Sequence, residues 1–271
     1  MIHQAALRIA LLAATLVGGD GIACAELVRV GGNGAVTAML PVVFASFARD
    51  EENELEVIPG LGHGGGMKAA VEGLLDIAVA SRPLNARELA LGLSSVLAFR
   101  SPYGLVTSHP GTDGFKSSEV AELFKSAKAR WPDGSPMRII LRPKGVTDSV
   151  VLSGLFPNMT AAIEHARHRP EVPIAATDQD VAQLAEQVAG SLAAATFTQI
   201  TLERRNLRFV PIDGVEPSLE NLENGSYPYQ RVLSLVLPAK RSATAERFID
   251  FLRSAEGTAA LRASGIIPIK N

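Results

Sequence analysis

Two glycine-rich segments carry residues suited to holding an anion. Residues 31–34 (Gly-Gly-Asn-Gly) and 60–66 (Gly-Leu-Gly-His-Gly-Gly-Gly) each follow a short apolar run and precede a helical pattern. The first N–H groups of a helix have no partner inside the helix, and the helix dipole favours negative charge there. Glycine allows the backbone to approach an anion closely. The two segments therefore predict a cradle for a small oxyanion.

The second glycine segment also matches a dinucleotide-binding motif. Gly60, Gly62 and Gly65 satisfy G-x-G-x-x-G between a predicted strand and a predicted helix, and Arg82 would suit a 2′-phosphate. The motif is not in the first strand–helix unit of the chain, and the helix predicted after it, residues 67–75, is short. An NADP-dependent oxidoreductase stays open as an alternative of another class, as do glycine loops that serve only as tight turns.

Residues for catalysis or metal binding form no recognisable pattern. No Gly-x-Ser-x-Gly, His-Glu-x-x-His or paired-carboxylate arrangement stands out, so the sequence proposes no reaction and no catalytic residue. His165 and His168 have the spacing of two metal ligands on a helix, but arginines stand at 167 and 169 and no third ligand is evident. We therefore expect neither an enzyme, nor a metal site, nor a cofactor.

The first 25 residues form a predicted secretory signal peptide. Arg8 precedes an apolar run over 9–19, and Ala23-Cys24-Ala25 fits the small-x-small cleavage pattern. A poor lipoprotein box at 21–24 makes lipid attachment at Cys24 an alternative, and a buried N-terminal helix is another. Cys24 is the only cysteine, so the mature chain would have no disulfide. The net charge of −2 gives no bias toward nucleic acids.

Short apolar runs alternate with helical patterns after residue 25, which predicts an α/β sheet with parallel neighbours. Strands are predicted at 27–30, 55–58, 77–80, 137–141, 192–197, 207–212 and 232–237, and helices near 36–49, 67–75, 118–129, 178–189 and 243–261. No proline-rich linker divides the chain. If there are two lobes, the chain crosses between them through strands, for which 100–108 and 226–237 are the candidates.

Five segments follow one another in an order that is specific to a known family. They are the glycine loop Gly62 to Ala69, the strand and turn Asp76 to Leu84, the turn from Arg142 to Ser149, Tyr227-Pro228 with the strand after it, and the C-terminal Phe248 to Gly257 with Gly265 to Pro268. In this order they resemble the periplasmic phosphate-binding protein family of ABC transporters, a branch of the type II periplasmic binding fold. The resemblance extends over nearly the whole mature chain.

This resemblance implies an α/β protein of two lobes with a hinge and a central ligand cleft. The first lobe would comprise residues 26–100 and 230–271, and the second 101–229. The resemblance also implies a periplasmic protein that binds a small oxyanion, phosphate first, and docks on an ABC permease. We expect a monomer that binds no nucleic acid. An anion sensor, or an orphan binding protein for another ligand, is the alternative within the same fold.

The ligand-binding residues that the resemblance implies come from several separate loops. They are Asn33, Gly34, Ala35, His63, Gly64, Ser81, Arg82, Arg142, Thr147, Asp148 and Ser149. Ala35 and His63 or Gly64 stand where the family has hydroxyl donors. Arg82 stands where some members have an aspartate that accepts the ligand's proton, and Val-Thr-Asp at 146–148 replaces Ser-Gly-Thr. These departures concern the ligand and not the fold.

Each polar residue of this set has a ligand role beside a structural alternative. Arg142 would clamp an oxyanion bidentately, as guanidinium geometry allows, or would be a surface arginine. Arg82 would add positive charge or form an inter-lobe salt bridge, and Ser81 would donate its hydroxyl or cap the next helix. Asp148 fits a helix N-cap better than a ligand contact. His63 would donate to the ligand when protonated, or would lie solvated in its loop.

Overall fold

A computed structural model describes residues 26–49, 53–111 and 113–269 of the 271-residue chain. The predicted signal peptide, 1–25, and with it Cys24, lies outside the described residues. Within the part that is described, no helix combines the length and the apolar character needed to cross a membrane.

The first part of the chain builds parallel strands covered by helices. β1 (Leu27–Gly32) pairs in parallel with β2 (Glu54–Ile58) and with β3 (Ile77–Ala80). β3 is an uninterrupted apolar run and is fully buried, because it lies inside the sheet between β1 and β8 (Gln230–Leu237). The helices here are α1 (Met39–Phe47), α2 (Gly62–Val71), α3 (Ala86–Ala90), α10 (Ala243–Arg253) and α11 (Ala255–Ala263), with a 3₁₀ helix at Gly34–Val36.

An apolar stripe on α10 closes the core of this first part. Phe248, Ile249 and Leu252 lie on one helical face and are buried. The ring of Phe248 packs edge-on against Phe44 of α1, with 5.0 Å between the ring centroids. Ser242 caps the start of the helix by accepting a hydrogen bond from the Ala245 N–H. These contacts fix the C-terminal helices against the sheet that carries the glycine loops.

The middle of the chain builds a second set of strands and helices. β5 (Arg138–Ile139) pairs in parallel with β6 (Ser191–Thr196). The remaining elements are β7 (Arg208–Phe209), α4 (Val120–Lys125), α5 (Thr147–Leu155), α6 (Met159–Arg167), α7 (Asp178–Gln187), α8 (Phe197–Leu202) and α9 (Leu219–Glu223). Their core is built around Trp131, Phe124 and Met159, which are buried side chains of one apolar cluster.

Two long strands connect the two parts. β4 (Ser94–Thr107) pairs antiparallel with β8 between Ser94 and Pro102 and with β6 between Tyr103 and Val106. β7 and β9 (Ile267–Pro268) also pair with β4, and the sheet order is β2-β1-β3-β8-β4-β6-β5. Buried apolar side chains form separate clusters around the two ends of β4. The residue boundaries of the two lobes remain a prediction.

The structure corrects two of the predicted elements. The helix predicted from Met67 begins at Gly62, inside the glycine segment. The single helix predicted over 243–261 is divided at Ser254, which ends α10 and caps α11 with its side chain. Glycine disfavours helix in isolation, but tertiary packing overrides that preference at the start of α2. As a consequence, His63, Gly64 and Gly65 belong to the first turn of a helix rather than to a loop.

Candidate anion-binding site

A cavity of about 500 Å³ lies between the glycine segments and the starts of two helices of the middle part. Its wall comes from the ends of β1 and β3, the start of α2, and the starts of α5 and α7, and ligands of open α/β folds bind at such strand ends. Eight predicted ligand residues line it, namely Asn33, Gly34, His63, Gly64, Arg82, Arg142, Thr147 and Asp148. Three others, Ala35, Ser81 and Ser149, lie outside the lining.

The glycine segments are held together by backbone contacts. Asn33 caps the 3₁₀ helix by accepting a hydrogen bond from the Ala35 N–H at 3.1 Å, and its own N–H donates to the Val79 carbonyl at 3.0 Å. A Cβ atom on Gly66 would lie 2.6 Å from the Gly32 Cα. Glycine is therefore required where α2 crosses the end of β1. This contact brings the N-terminus of α2 next to the first glycine segment.

Both ring nitrogens of His63 contact groups of the protein. The Ser81 N–H donates to His63 Nδ1 at 3.1 Å, which makes Nε2 the protonated nitrogen, and Nε2 lies 3.3 Å from Glu88 Oε1. Burial, followed by the nearby Arg82 charge, lowers the pKa of His63, so the ring is neutral at pH 7. Neither ring nitrogen has a proton left for a ligand. The alternative of a solvated loop histidine is wrong, since the residue is buried.

Arg82 is neutralised within its own segment. Its guanidinium donates to both carboxylate oxygens of Glu88, at 2.9 and 2.8 Å, and also to the Pro83 carbonyl. The hydrogen bond from Arg82 is the main reason why the pKa of Glu88 falls to about 2. Because Glu88 belongs to α3, the alternative of an inter-lobe salt bridge is wrong. Arg82 lines the cavity, but its charge is already balanced.

Two serines of the predicted set support the wall instead of lining it. Ser81 is not the cap of α3, because Asn85 holds that position in a capping box with Glu88. The Ser81 hydroxyl donates to the Thr147 hydroxyl at 3.0 Å, which joins the end of β3 to the start of α5. The Ser149 hydroxyl donates to the carbonyls of Arg142 and Pro143, and so shapes the turn that carries the arginine.

Arg142 is a nearly buried cation of the cavity with few partners. Its side chain is only 13% exposed, so the alternative of a surface arginine is wrong. Nη1 donates to the Ala175 carbonyl at 3.3 Å, and Nη2 lies 3.9 Å from Asp148 Oδ2. Nε is buried and has no hydrogen-bond partner among the residues that the structure describes. A buried unpaired guanidinium N–H is costly unless an acceptor reaches it.

Asp148 lies between two guanidinium groups. Besides Arg142, it contacts Arg231 of β8, whose Nη2 is 3.2 Å from Asp148 Oδ1. The Arg231 side chain is fully buried, and none of its nitrogens makes a hydrogen bond of good geometry within the described residues. Asp148 does not cap α5, since Val146 is the N-cap residue and no side chain caps it. The interpretation of Asp148 as an N-cap is therefore wrong.

Sequence reasoning missed the start of α7 and the buried Arg231. Thr177, Asp178 and Gln179 line the cavity, and Gln179 Nε2 donates to the Gly34 carbonyl at 3.1 Å across it. The available signal was the Thr-Asp-Gln-Asp sequence at 177–180, which forms a capping box at the start of α7. No sequence signal indicates Arg231, because only the fold brings β8 next to Asp148.

Two carboxyl groups meet in this cavity. Burial, followed by the neighbouring Asp148, raises the pKa of Asp178 to about 7, while Arg142 and Arg231 act in the opposite direction. Asp178 is therefore protonated below about pH 7 and loses its proton as the pH rises above it. With that proton, two arginines face a single carboxylate charge. The arrangement therefore has a net positive charge and can bind an anion.

The geometry fits an anion better than it fits a dinucleotide or a metal ion. The G-x-G-x-x-G segment follows β2, the edge strand of the described sheet, whereas a dinucleotide crevice forms where the strand order reverses within a sheet. Gly65 lies inside α2 instead of in a turn. Across residues 26–49, 53–111 and 113–269, no group of three or more His, Cys, Asp or Glu side chains is placed to hold a metal ion.

Comparison with known proteins places this geometry in a family. Residues 17–256 match the model of the PBP superfamily domain. Protein SphX of Synechocystis sp. (strain ATCC 27184 / PCC 6803 / Kazusa) is 26% identical over 260 residues, which cover 86% of this chain and 76% of that protein.

Solved structures share the fold. A protein from Clostridium perfringens, assigned as a phosphate ABC transporter substrate-binding protein and solved with bound phosphate, superposes with a TM-score of 0.70 at 20% identity, over 90% of this chain and 100% of that one. The periplasmic molybdate-binding protein of Azotobacter vinelandii gives a TM-score of 0.59 at 12% identity, over 90% and 100%. The expected fold class, two α/β lobes of the type II periplasmic binding fold, is confirmed.

Proposed function

The chain belongs to the PBP superfamily, and from that premise we propose that it is an exported solute-binding protein that holds a small oxyanion in the cavity beside Arg142. Phosphate is the first candidate ligand, because the similar protein from Clostridium perfringens was solved with phosphate bound. The predicted signal peptide at 1–25 would direct the chain to the periplasm. There it would pass the anion to an ABC permease as a monomer.

The observation that carries this proposal is the state of Arg142. It lines the cavity, is nearly buried, and makes one side-chain hydrogen bond within the described residues, to the Ala175 carbonyl, whereas Arg82 forms a bidentate ion pair with Glu88. The N-termini of α2, α5 and α7 surround the same space, and each of these helices has at least nine residues. Free backbone N–H groups and one guanidinium are what a tetrahedral oxyanion needs.

Calorimetric titration tests the proposal directly. Protein purified from cells that express the full chain would be titrated with phosphate, sulfate, molybdate and small carboxylates. Replacing Arg142 by alanine removes charge-assisted hydrogen bonds, so the affinity for the bound anion should fall about 10- to 100-fold. Arg142→Lys keeps the charge but loses the planar fork, so its affinity should lie between those of the wild type and the alanine variant.

Arg130→Ala is the matched control for a lost positive charge. Arg130 is exposed and donates to the Gly134 carbonyl in a turn outside the cavity. Its replacement should leave the titration unchanged. The proposal fails if none of the four anion classes binds, or if Arg142→Ala binds as tightly as Arg130→Ala.

The panel of anions also separates phosphate from other ligands in the same fold. Because the molybdate-binding protein of Azotobacter vinelandii shares this fold, tighter binding of molybdate or sulfate would reassign the ligand without removing the anion site. Growth of a deletion strain at limiting phosphate would separate uptake from sensing. A transport protein is needed for phosphate accumulation, whereas loss of a sensor changes gene expression and leaves the initial uptake rate intact.

A further inference from the structure

We propose that the ligand is a phosphate or phosphonate that carries a short polar substituent, rather than a bare inorganic oxyanion. The inference rests on the proposed function, since the oxyanion end of the ligand would occupy the site beside Arg142. The ligand class is small phosphate monoesters and organophosphonates. Two properties of the cavity lead to it, namely its volume and its carboxyl pair.

The cavity is larger than an inorganic oxyanion requires. A phosphate ion has five heavy atoms, and even a generous allowance of about 30 Å³ for each, the share of one water molecule in the liquid, fills less than a third of about 500 Å³. That volume lies within the range of roughly 300–1,000 Å³ found for pockets that bind organic small molecules. Space for a substituent therefore remains once the oxyanion end is placed.

Glycines at the start of α2 contribute backbone to the cavity wall, among them Gly62, Gly64 and Gly65. Gly64 is a helical residue with no neighbouring atom within 4 Å of the position that a Cβ atom would take, and its φ is not positive. Neither packing nor backbone conformation requires glycine there, and glycine is among the least favourable residues inside a helix. Glycine at this position leaves open space at the rim of the cavity, where Gly64 also borders a neighbouring pocket beside Met67 and Lys68.

The carboxyl pair gives the substituent its chemistry. Asp178 and Asp148 line the same cavity as Arg142. A fully deprotonated oxyanion placed there has no donor for these carboxyl groups, and like charges repel. Hydrogen phosphate has a single O–H for two carboxyl groups, and a polar substituent adds a further donor. A hydroxyl or ammonium group on the substituent would donate to the pair while the oxyanion end contacts the arginine. The cavity therefore suits a ligand with an anionic end and a donor end.

Titration of the wild type with three probes tests the proposal. The probes are inorganic phosphate, sn-glycerol 3-phosphate and O-phosphoethanolamine. Each buried methylene group strengthens binding about fourfold, so at least one substituted probe should bind ten or more times as tightly as phosphate. If phosphate binds more tightly than both, this proposal is overturned while the anion site stands. If no probe binds, the proposed function fails with it.

A cavity-filling substitution locates the substituent. Gly64→Leu should weaken binding of the favoured substituted probe at least tenfold and change phosphate binding less than threefold. Gly154→Leu is the matched control, because Gly154 is also a helical glycine with nothing within 4 Å and lies outside the cavity lining. Ala176→Leu repeats the test from the wall beside α7. Equal losses for phosphate and the substituted probe in both cavity variants would overturn the assignment.

Discussion

Replacing Asp178 by asparagine tests the charge balance of the cavity. The pKa of Asp178 is raised from 3.8 to about 7, first by burial and then by the neighbouring Asp148. A carboxyl group with a raised pKa stabilises the folded state fully below its unfolded pKa of 3.8. That contribution is lost as the pH rises through 7, where the folded protein also releases the proton. The free energy of unfolding should therefore fall across this interval.

The size of the effect follows from the two pKa values. If the carboxyl returns to its ordinary pKa of 3.8 on unfolding, the loss between low pH and pH 8 is about 4 kcal/mol. Asp178 is partly exposed, so water in the cavity reduces this figure. Asparagine has the shape of the protonated carboxyl and no charge to desolvate. We expect Asp178→Asn to stabilise the free protein by about 2–4 kcal/mol at pH 8 and by less than about 1 kcal/mol at pH 4.

Urea unfolding at pH 4, 6 and 8 measures both proteins under the same conditions. Asp250→Asn is the control, because Asp250 is exposed and pairs only at the surface with Arg253, and such pairs contribute little. The difference between Asp178→Asn and the wild type should grow with pH, and that of the control should not. A stability difference that is the same at all three pH values, or a variant less stable than the wild type at pH 8, would refute the reasoning.

Two further predictions concern the start of α2. Gly66→Ala forces a Cβ atom to 2.6 Å from the Gly32 Cα and should destabilise the protein by about 1–3 kcal/mol. Gly64→Ala should leave Tm unchanged or raise it. If calorimetry shows that Gly64→Ala lowers Tm more than Gly66→Ala does, the described packing of α2 against β1 is contradicted. Because burial and then Arg82 lower the pKa of His63, its neutral ring stabilises the fold above the unfolded pKa of 6.5, and this is lost as the pH falls through the lowered folded pKa. His63→Gln should therefore lose less stability than wild type between pH 7 and pH 5, and parallel urea profiles would count against this.

Elements that follow one physical rule could be predicted from the sequence. Residues 77–80 form a continuous apolar run, and the structure has a fully buried strand there. The start of α2 was misplaced, because glycine's low helix propensity predicts a loop and the contact between Gly66 and Gly32 is tertiary. The break at Ser254 is also not predicted. The apolar stripe continues past this residue in the sequence, while the Ser254 side chain caps the start of α11.

The candidate site was only partly predictable. Arg142, Thr147 and Asp148 were predicted through the resemblance of residues 142–149 to the arginine and Ser-Gly-Thr turn of the family, and they line the cavity. The partners of Asp148 could not be predicted, because Arg231 and Asp178 are distant in the chain and reach it through the strand order and the start of α7. Hydrogen bonds such as the one from the Ser81 N–H to His63 likewise depend on distances in the folded protein, which a single sequence does not give.

Because side-chain hydroxyl donors of the family are replaced here, the charged groups around the cavity decide which ligand can bind. Ala35 and the neutral His63 give no side-chain donor to an anion, and the charge of Arg82 is balanced by Glu88. Positive charge at the cavity therefore depends on Arg142 and the buried Arg231, opposed by Asp148 and Asp178. When the carboxyl pair holds one proton, the sum over these four groups is +1, and when it holds none the sum is 0. Anion affinity should therefore decline above pH 7, unless the ligand brings its own donor to the pair, as an ammonium or hydroxyl substituent would.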